Sequence, residues 1–477
     1  MLRRFLGPIL CLCWLIPVEA QSQVPDTLWF RYFGGAYSDE GWQVQETVDG
    51  GLIVVGSGMS NFGDWDIYLI KTDADGNLVW TRTFGGPNTD RGSAIRQTSD
   101  GGFIVVGWQR ASPQSEKEIC LLKTDSNGNL LWSRTYSEFQ KQEARSIGLA
   151  PDGGYVIAGW VTEMPIFEDI FIMKTDSLGN VIWSRNYGGD DSDKPWSVKN
   201  TSDGSYIIAG WTDIFPRGSD MYLIKTDQNG DSLWTRKYGS PYNDIATSVL
   251  ETSDHRYIVG GCVGANFYER HAALLYLDEN GDSINTVLLP FTEIHSMELT
   301  MDGGLIVAGS LSDSLTTAFV TKTNIDGQEI WASIFPPGSD VSCYIYSVIQ
   351  TSDSGYVLTG VTQAYPENMI LAKLSAEQTS IGDIEGPKLP KGITLAQNYP
   401  NPFNSATKIK FELARPAIVT IEIFDILGRR IEILFEGFLQ SGNHQVVWDA
   451  GKHSSGIYFY RVRAGHDSLI RRMVYLK

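Results

Sequence analysis

The chain has 477 residues, with 38 Lys and Arg against 56 Asp and Glu, which gives a net charge of −18. The acidity belongs to residues 1–394, because residues 395–477 carry 11 basic and 7 acidic side chains. An acidic body disfavours nucleic acid and anionic membrane surfaces as partners. The apolar content of 42% favours a folded chain, and the 49 glycines favour short strands joined by glycine turns.

The first twenty residues have the pattern of a signal peptide. Arg3 and Arg4 precede an apolar run over residues 5–18, and Ala20 ends a small-residue motif before a cleavage point. The alternative is a buried N-terminal strand or helix. We therefore expect residues 1–20 to be removed and the mature protein to be exported.

The mature chain keeps three cysteines, Cys120, Cys262 and Cys343. Export permits disulfides, but an odd number at wide spacings does not form a disulfide framework. No Cys or His spacing is typical of zinc, and the sequence indicates no metal or other cofactor. We expect the three thiols to fill strand positions.

Internal repetition dominates residues 25–375. The Asp of an Asp-Gly-Gly-like turn recurs at intervals of 48 to 52 residues, at Asp49, Asp100, Asp152, Asp203, Asp254, Asp302 and Asp353. A Lys-Thr-Asp motif recurs at Lys71, Lys123, Lys174 and Lys225, with weaker copies at Tyr276, Lys322 and Lys373. A Trp follows the Asp of that motif by seven residues, at Trp80, Trp132, Trp183, Trp234 and Trp331, with Asn285 in the fifth unit.

Each unit predicts four strands. In the first unit, "WQVQETV", "LIVVGS", "DIYLIKT" and "LVWTRTF" are separated by turn residues, and the middle two are apolar on both faces. Strands of this kind need cover on both sides, so each unit is predicted to be a blade of a β-propeller.

The last unit lacks a fourth strand, and residues 26–35 match residues 231–240, which contain the fourth strand of an earlier unit. We therefore predict an all-β, seven-bladed propeller over residues 25–375, closed by the N-terminal strand so that no edge stays open. The alternative is a solenoid.

The hairpin between the third and fourth strands, Asp73-Ala-Asp-Gly-Asn in the first unit, also resembles the start of a calcium loop. An EF-hand loop needs carboxylates at positions 1, 3 and 5 and a Glu at position 12. The equivalents that begin at Asp125 and Asp176 lose the second acid and keep the Gly. We interpret the motif as turn chemistry rather than as a metal site.

The repeats resemble those of quinoprotein-type propellers, in which an Asp, a Gly and a following Trp mark the turn into the fourth strand. Kelch repeats share the unit length and a glycine pair, as at Gly34-Gly35 and Gly85-Gly86. The quinoprotein resemblance implies that the Trp docks on the next blade, a role expected for Trp29, Trp80, Trp132, Trp183, Trp234 and Trp331. Neither resemblance implies an activity.

Residues 376–394 have the character of a linker, and residues 395–477 alternate strands with turn residues over the length of a small β-sandwich. The second segment resembles the type A C-terminal sorting domain of the type IX secretion system, an immunoglobulin-like module. The matching positions are Asn398, Tyr399, Pro400, Asn401, Pro402, Phe403, Asn404, Gly428, Trp448, Gly456 and Tyr458.

The resemblance implies a Gram-negative bacterium and the type IX secretion machinery as a partner. It also implies a product that is secreted or anchored at the outer cell surface. The alternative is an ordinary adhesive sandwich domain without a sorting role.

We expect the functional face to lie opposite the tight hairpins, where the loops vary. Acidic residues that precede the innermost strands are expected to ring the axial mouth: Asp39, Asp90, Asp193, Asp244 and Asp340. Trp108, Trp160 and Trp211 begin the variable loops of three successive units. Acids suit cations or basic partners, and aromatic faces suit sugars or peptides. The structural alternatives are that the Asp caps a turn and the Trp packs between blades.

The sequence contains no catalytic motif: no vicinal Cys pair, no sialidase-type turn, no nucleophile elbow and no phosphate-binding loop. Pseudo-symmetric repeats without a unique polar cluster favour binding over catalysis. We therefore predict an exported, monomeric binding or adhesion scaffold with a glycan or protein ligand. The alternative is a secreted hydrolase or lyase that acts on polysaccharide through the same face.

Overall fold

The computed structural model describes residues 24–377 and 393–477, apart from gaps at 60–63, 139–140, 163–166, 215–217, 267–268, 312–316, 336–342, 363–365, 414–415, 426–428 and 465–466. The predicted signal peptide and most of the predicted linker lie outside these residues. The described residues contain 35 strands. Among them, no helix has the length and apolar character needed to cross a membrane.

The described residues up to 377 form seven four-stranded antiparallel sheets, numbered here in chain order. Sheet 1 contains β2 (Asp39–Glu46), β3 (Leu52–Met59), β4 (Trp65–Thr72) and β5 (Leu78–Phe84). Sheet 2 contains β6 (Arg91–Gln97), β7 (Phe103–Gln109), β8 (Glu118–Thr124) and β9 (Leu130–Tyr136). Sheet 3 contains β10 (Lys141–Leu149), β11 (Tyr155–Thr162), β12 (Asp169–Thr175) and β13 (Val181–Tyr187).

The next three sheets repeat the same order. Sheet 4 contains β14 (Asp193–Asn200), β15 (Tyr206–Ile214), β16 (Gly218–Thr226) and β17 (Ser232–Tyr238). Sheet 5 contains β18 (Ile245–Glu251), β19 (Tyr257–Gly264), β20 (Arg270–Leu277) and β21 (Ser283–Leu288). Sheet 6 contains β22 (Glu293–Leu299), β23 (Leu305–Ser310), β24 (Ala318–Thr323) and β25 (Glu329–Phe335).

Sheet 7 combines the two ends of the repeat region. It contains β26 (Cys343–Gln350), β27 (Tyr356–Thr362), β28 (Met369–Leu374) and, at its outer edge, β1 (Thr27–Phe33). Trp29 pairs with Lys373 and Phe33 with Met369 in the antiparallel ladder. The backbone N–H of Ser375 donates to the carbonyl of Asp26 at 2.8 Å, which extends the ladder by one bond. The N-terminal strand therefore occupies the place of the fourth strand that the last unit lacks.

The sheets pack face to face in a closed ring, which is the arrangement of a β-propeller. Seven hydrophobic clusters each join two consecutive sheets, and one of them joins sheet 7 back to sheet 1 through Val54, Ile70, Val357 and Leu371. The second and third strands are buried on both faces because they lie between neighbouring sheets, which explains their unbroken apolar runs.

An ion pair joins two of the repeated landmarks inside six of the sheets. Lys71 Nζ lies 3.1 Å from Asp49 Oδ1, with the lysine buried and the carboxylate at the surface. The corresponding pairs are Lys123–Asp100, Lys174–Asp152, Lys225–Asp203, Lys322–Asp302 and Lys373–Asp353. Tyr276 replaces the lysine in sheet 5, where Asp254 pairs with Arg256 instead. The two landmarks recur together because each buried lysine needs the turn carboxylate.

In five of the sheets, the Trp of the fourth strand covers a glycine in the next sheet's outer hairpin. A Cβ placed on Gly76 would lie 2.8 Å from the ring of Trp29, and Gly76 has a φ of 74°. The same contact joins Trp80 to Gly128, Trp132 to Gly179, Trp183 to Gly230 and Trp234 to Gly281. Where Asn285 replaces the Trp, Gly327 faces Tyr276 and Val287. Trp331 is buried, and its Nε1 donates to Glu377 Oε1 at 2.9 Å.

The hairpin that resembled a calcium loop is a turn in the structure. Asp73 Oδ1 accepts the backbone N–H groups of Asp75 at 3.0 Å and Asn77 at 2.8 Å. These bonds, led by those from Asn77, lower the pKa of Asp73. The carboxylate is therefore engaged by its own hairpin.

The C-terminal residues form two sheets around one core. One sheet contains β29 (Ile393–Leu395), β30 (Ala406–Leu413) and β33 (Gly442–Asp449). The other contains β31 (Ala417–Asp425), β32 (Arg430–Leu439), β34 (Gly456–Ala464) and β35 (Asp467–Tyr475). Trp448 from the first sheet and Tyr460 from the second are both fully buried in the shared core, so this part is a small β-sandwich.

Candidate ligand-binding site

The innermost strand of each sheet carries a β-bulge at the same place. One residue is skipped in each ladder, seven residues before the Asp of the following turn. A bulged residue is left unpaired and its side chain is re-aimed. The seven bulged residues line a single cavity of about 710 Å³, and they are Trp42, Ser93, Arg145, Trp196, Thr247, His295 and Tyr346.

The wall of this axial cavity is held by hydrogen bonds between neighbouring sheets. An innermost strand has one unpaired edge, and side chains of the preceding sheet satisfy its backbone N–H groups. Ile95 N donates to Gln43 Oε1 at 2.8 Å, and Val198 N donates to Ser146 Oγ at 3.2 Å. The same pattern closes the ring, because Val44 N donates to Ser347 Oγ at 3.4 Å. These hydrogen bonds therefore hold together the ring of innermost strands that carries the bulged residues.

Aromatic side chains form part of the lining. Trp42 and Tyr346 stack with their ring centroids 4.5 Å apart. Trp196 remains 39% exposed, and the Arg145 guanidinium lies over its ring at 4.9 Å from the centroid. A flat aromatic face beside a guanidinium suits a ligand that combines an apolar face with polar groups.

The cavity is basic although the protein is acidic. Six cationic side chains line it against two carboxylates, Glu143 and Glu293: these cations are Arg91, Arg96, Arg110, Lys117, Arg145 and Lys199. Glu143 is held by Lys117 Nζ and by Arg145 Nη2, each at 2.6 Å. Arg91 pairs with Glu40 at 2.8 Å, outside the lining. The remaining cations, Arg96, Arg110 and Lys199, have no ion pair with a carboxylate of the described residues.

Arg96 and Lys199 occupy equivalent positions, three residues beyond the bulge on β6 and β14. Burial, together with the nearby Arg96, lowers the pKa of Lys199 to about 8. Arg96 Nη1 donates to Gln43 Oε1 and to its neighbour's carbonyl, that of Ile95. Glu298 is the acid near these cations, but burial raises its pKa in spite of Lys199, and its Oε2 accepts the Gln350 N–H at 3.1 Å.

The three tryptophans predicted to bind ligand lie in different environments. Trp108 lines the cavity and is covered by Lys117, whose Nζ lies 4.0 Å from the ring centroid. Trp160 and Trp211 are not part of the lining and flank Lys194, which lies 4.9 Å and 5.6 Å from their centroids. The cavity therefore includes one of the three predicted rings.

The described members of the acid set predicted for the axial mouth lie outside the lining of the cavity. Asp39, Asp90, Asp193 and Asp244 are buried and do not line the cavity. Asp90 accepts the N–H groups of Gly86 at 2.7 Å and Arg110 at 3.1 Å, and Asp244 accepts those of Ser240 and Gly264. Burial raises the pKa of Asp193 and of Asp244 to about 6. Such carboxylates brace the connections between sheets instead of facing a ligand.

Asp340, the fifth member, lies outside the described residues. In sheet 7, the position equivalent to Asp193 is Cys343 and not Asp340. Cys343 pairs with Thr362 in the same way as Asp193 pairs with Thr212 in sheet 4. The bulged residues are not among the site residues predicted from the sequence. If the seven repeats are aligned on the turn Asp, these residues (Trp, Ser, Arg, Trp, Thr, His and Tyr) fall at one equivalent position. The alternation of apolar and polar residues along a strand does not reveal that this position is a bulge.

In the C-terminal sandwich, the described members of the predicted sorting motif divide between the core and the surface. Asn398 is buried, with Nδ2 donating to Thr407 Oγ1 at 2.9 Å and its N–H donating to Tyr460 Oη at 2.8 Å. Asn401 Oδ1 accepts the Val474 N–H at 2.8 Å. Phe403, Trp448 and Tyr458 belong to the core. Tyr399, Pro400, Pro402, Asn404 and Gly456 lie at the surface, and Gly428 is outside the described residues.

Residues 397–476 match the family described as the secretion system C-terminal sorting domain. This segment is a type IX sorting domain, which implies interaction with the type IX secretion machinery. The protein is therefore exported and either secreted or attached at the outer surface.

The chain also has more distant relatives. The regulatory protein FlaEY of Caulobacter vibrioides is 26% identical over 174 residues, a match that covers 31% of this chain and 18% of that protein. The chain thus matches less than a fifth of the length of this relative.

Among solved structures, a fungal alcohol oxidase of the AA5 family in complex with copper is 13% identical, with 95% of this chain and 100% of that chain covered and a TM-score of 0.46. The Dos1 propeller is 11% identical, with 72% and 94% covered and a TM-score of 0.46. The C-terminal WD40 domain of Sif2 is 11% identical, with 72% and 98% covered and a TM-score of 0.40. These likenesses concern the fold, and no function follows from them.

Proposed function

We propose that this protein is a surface-delivered binding protein whose ligand enters the axial cavity of a seven-bladed propeller. In this proposal the seven sheets are the blades, residues 25–375 form the propeller and β1 closes it. Residues 1–20 are a signal peptide of a Gram-negative bacterium, and the C-terminal module is an immunoglobulin-like address. The observation that carries the binding role is the convergence of seven bulged residues, one from each sheet, on one cavity.

The character of the cavity supports binding more than catalysis. A pocket of several hundred Å³ with a few aromatic rings and placed polar groups is typical of ligand sites. Glycoside hydrolysis normally needs two carboxyl groups, one of which serves as a general acid. Glu143 is held in ion pairs by Lys117 and Arg145, so its carboxylate already has two cationic partners. Glu293, the other carboxylate of the described lining, pairs with Arg270 at 3.6 Å, so the hydrolase or lyase alternative would have to use carboxylates that are already ion-paired.

A binding screen of the full mature chain on glycan and peptide arrays tests the proposal. Replacing Trp196 and Tyr346 together by Ala removes two aromatic faces of the lining, and we expect affinity for any hit to fall at least about tenfold. Leu233→Ala, on the exposed outer strand of sheet 4, is the matched control and leaves affinity unchanged. Unchanged binding by the Trp196→Ala/Tyr346→Ala variant, if it remains folded by circular dichroism, contradicts the proposed site. Release of products from a bound polysaccharide, measured as new reducing ends, would favour the enzyme alternative.

A further inference from the structure

We infer that Arg96 and Lys199 form an oxyanion subsite in the axial cavity, and that the ligand is an oligosaccharide, or the end of a polysaccharide chain, bearing carboxylate or sulfate groups. This inference rests on the proposed function and specifies the ligand class for the same cavity. Arg96 and Lys199 both line the cavity, at equivalent positions of β6 and β14.

The layer lies deeper along the axis than the ring of bulged residues. Arg96 lies three positions after Ser93, and Lys199 three positions after Trp196, which is about 10 Å at the usual rise of a strand. The corresponding residues of the other sheets are Gln45, Gly148, Leu250, Glu298 and Ile349. The layer therefore contains two cations, one acid and the amide of Gln45, with a glycine and two apolar side chains completing it.

The two cations disfavour each other in the free protein. Burial and, after it, the charge of Arg96 lower the pKa of Lys199. Burial also lowers the pKa of Arg96. Glu298 offsets this in part, but its carboxylate already accepts the Gln350 N–H. Unpaired cations that share a partly desolvated site are stabilised when an anion binds between them. An oxyanion of a ligand is thus the missing partner.

Features above this layer point to a sugar as the carrier of the anion. Trp196 remains 39% exposed with the Arg145 guanidinium over one face of its ring, so a sugar ring packed on the other face would have a basic group close by. Sugar rings pack their C–H faces on aromatic rings and hydrogen-bond at their edges. The basic cavity differs from the acidic body, since residues 1–394 carry 27 basic and 49 acidic side chains. A long polyanion lying across the surface would be repelled, whereas a short anionic ligand inside the cavity is attracted.

The test compares ligands that differ only in charge. Isothermal titration calorimetry with the full mature chain would use trigalacturonate, its fully methyl-esterified form, a sulfated galactan oligosaccharide, triglutamate and inorganic sulfate. We expect trigalacturonate or the sulfated oligosaccharide to bind, with affinity falling as salt is raised. The uncharged ester binds at least about tenfold more weakly because it lacks charge-assisted hydrogen bonds. Equal binding of the ester overturns the inference, and triglutamate binding as tightly as the sugars overturns the ligand class.

Variants separate this inference from the proposed function. Lys199→Gln and Arg96→Gln are each expected to weaken the acidic sugar about tenfold or more, whereas Lys408→Gln, on the exposed face of the C-terminal module, has no effect. Lys199→Gln also removes a repulsive charge, so its thermal midpoint without ligand stays equal to or above that of the wild type. If Trp196→Ala abolishes binding while Lys199→Gln and Arg96→Gln leave it intact, the proposed cavity stands and the oxyanion subsite fails. If none of the three changes alters binding, both fail.

Discussion

Gly230→Ala and Gly204→Ala form a matched pair that isolates the contact between neighbouring sheets. Both glycines lie in hairpins of sheet 4 and have nearly the same left-handed φ, 78° and 79°. A Cβ on Gly204 meets nothing within 4 Å, whereas a Cβ on Gly230 lies 2.5 Å from the Trp183 ring. The two variants therefore share the backbone cost and differ in the clash with the Trp of the preceding sheet.

The expected magnitudes follow from these two terms. An Ala in the left-handed region costs about 1–2 kcal/mol, of which the loss of unfolded-state freedom returns about 0.4–1 kcal/mol. Gly204→Ala should thus lower the free energy of unfolding by about 1 kcal/mol. Overpacking adds about 1–3 kcal/mol at Gly230, because Trp183 is itself packed against a hydrophobic cluster and cannot withdraw freely.

Urea unfolding of the full mature chain, followed by circular dichroism, measures the difference between the two variants. Adding Trp183→Ala to Gly230→Ala removes the clash, so the effect of Gly230→Ala should shrink to that of Gly204→Ala in this background. Equal destabilisation by Gly204→Ala and Gly230→Ala in the wild-type background would refute the reasoning. It would mean that the Trp–Gly contacts do not hold neighbouring sheets together.

Three further predictions concern acid stability, the thiols and export. Partial burial alone would raise the pKa of Asp203, but hydrogen bonds from Thr201 and Lys225 hold this pKa at about 2, below its usual 3.8. Because the pKa of Asp203 is lower in the folded state, its carboxylate stabilises the protein above pH 4, and this stabilisation is lost as the pH falls toward 2. Asp203→Asn should therefore make the free energy of unfolding depend less on pH between pH 4 and pH 2. An unchanged dependence contradicts this prediction. Burial raises the pKa of Cys343 to about 12, and Cys120 and Cys262 are likewise buried, so a thiol reagent such as DTNB should react with these three only after urea is added. Fast native reaction, compared with free cysteine as the control, would disprove this protection. Deletion of residues 395–477 should leave the propeller in the periplasm, as measured by cell fractionation. The Leu233→Ala variant is the control and should be exported normally. Surface display of the truncated protein would contradict the sorting role.

The parts of the fold that depend on local chemistry were predictable from the sequence. Alternation and turn residues placed the strands in groups of four, and residues 26–35 were assigned to the last unit by their match to residues 231–240. The pairing of β1 with β28 agrees with that assignment. The sorting motif was recognised from its residues, and the family match over residues 397–476 confirms it. Each of these patterns lies within a short run of neighbouring residues, so it can be recognised without the three-dimensional structure.

The candidate site depended on features that no local pattern contains. Asp90 and Asp244 looked like mouth residues because they precede innermost strands, yet backbone N–H groups of neighbouring connections enclose them. Trp196 and Arg145 belong to no sequence motif, and they line the axial cavity because each lies at a bulge in its strand.

The sequence by itself determined the repeated strands, their order and the export address, because strand alternation, turn chemistry and a compact motif are written in neighbouring residues. Only the tertiary structure decided which side chains face the axis and that basic ones gather there in an acidic protein. The physical reason is that a one-residue bulge re-aims a side chain without changing the surrounding alternation. Closing seven sheets into a ring then brings together residues about fifty positions apart in the chain.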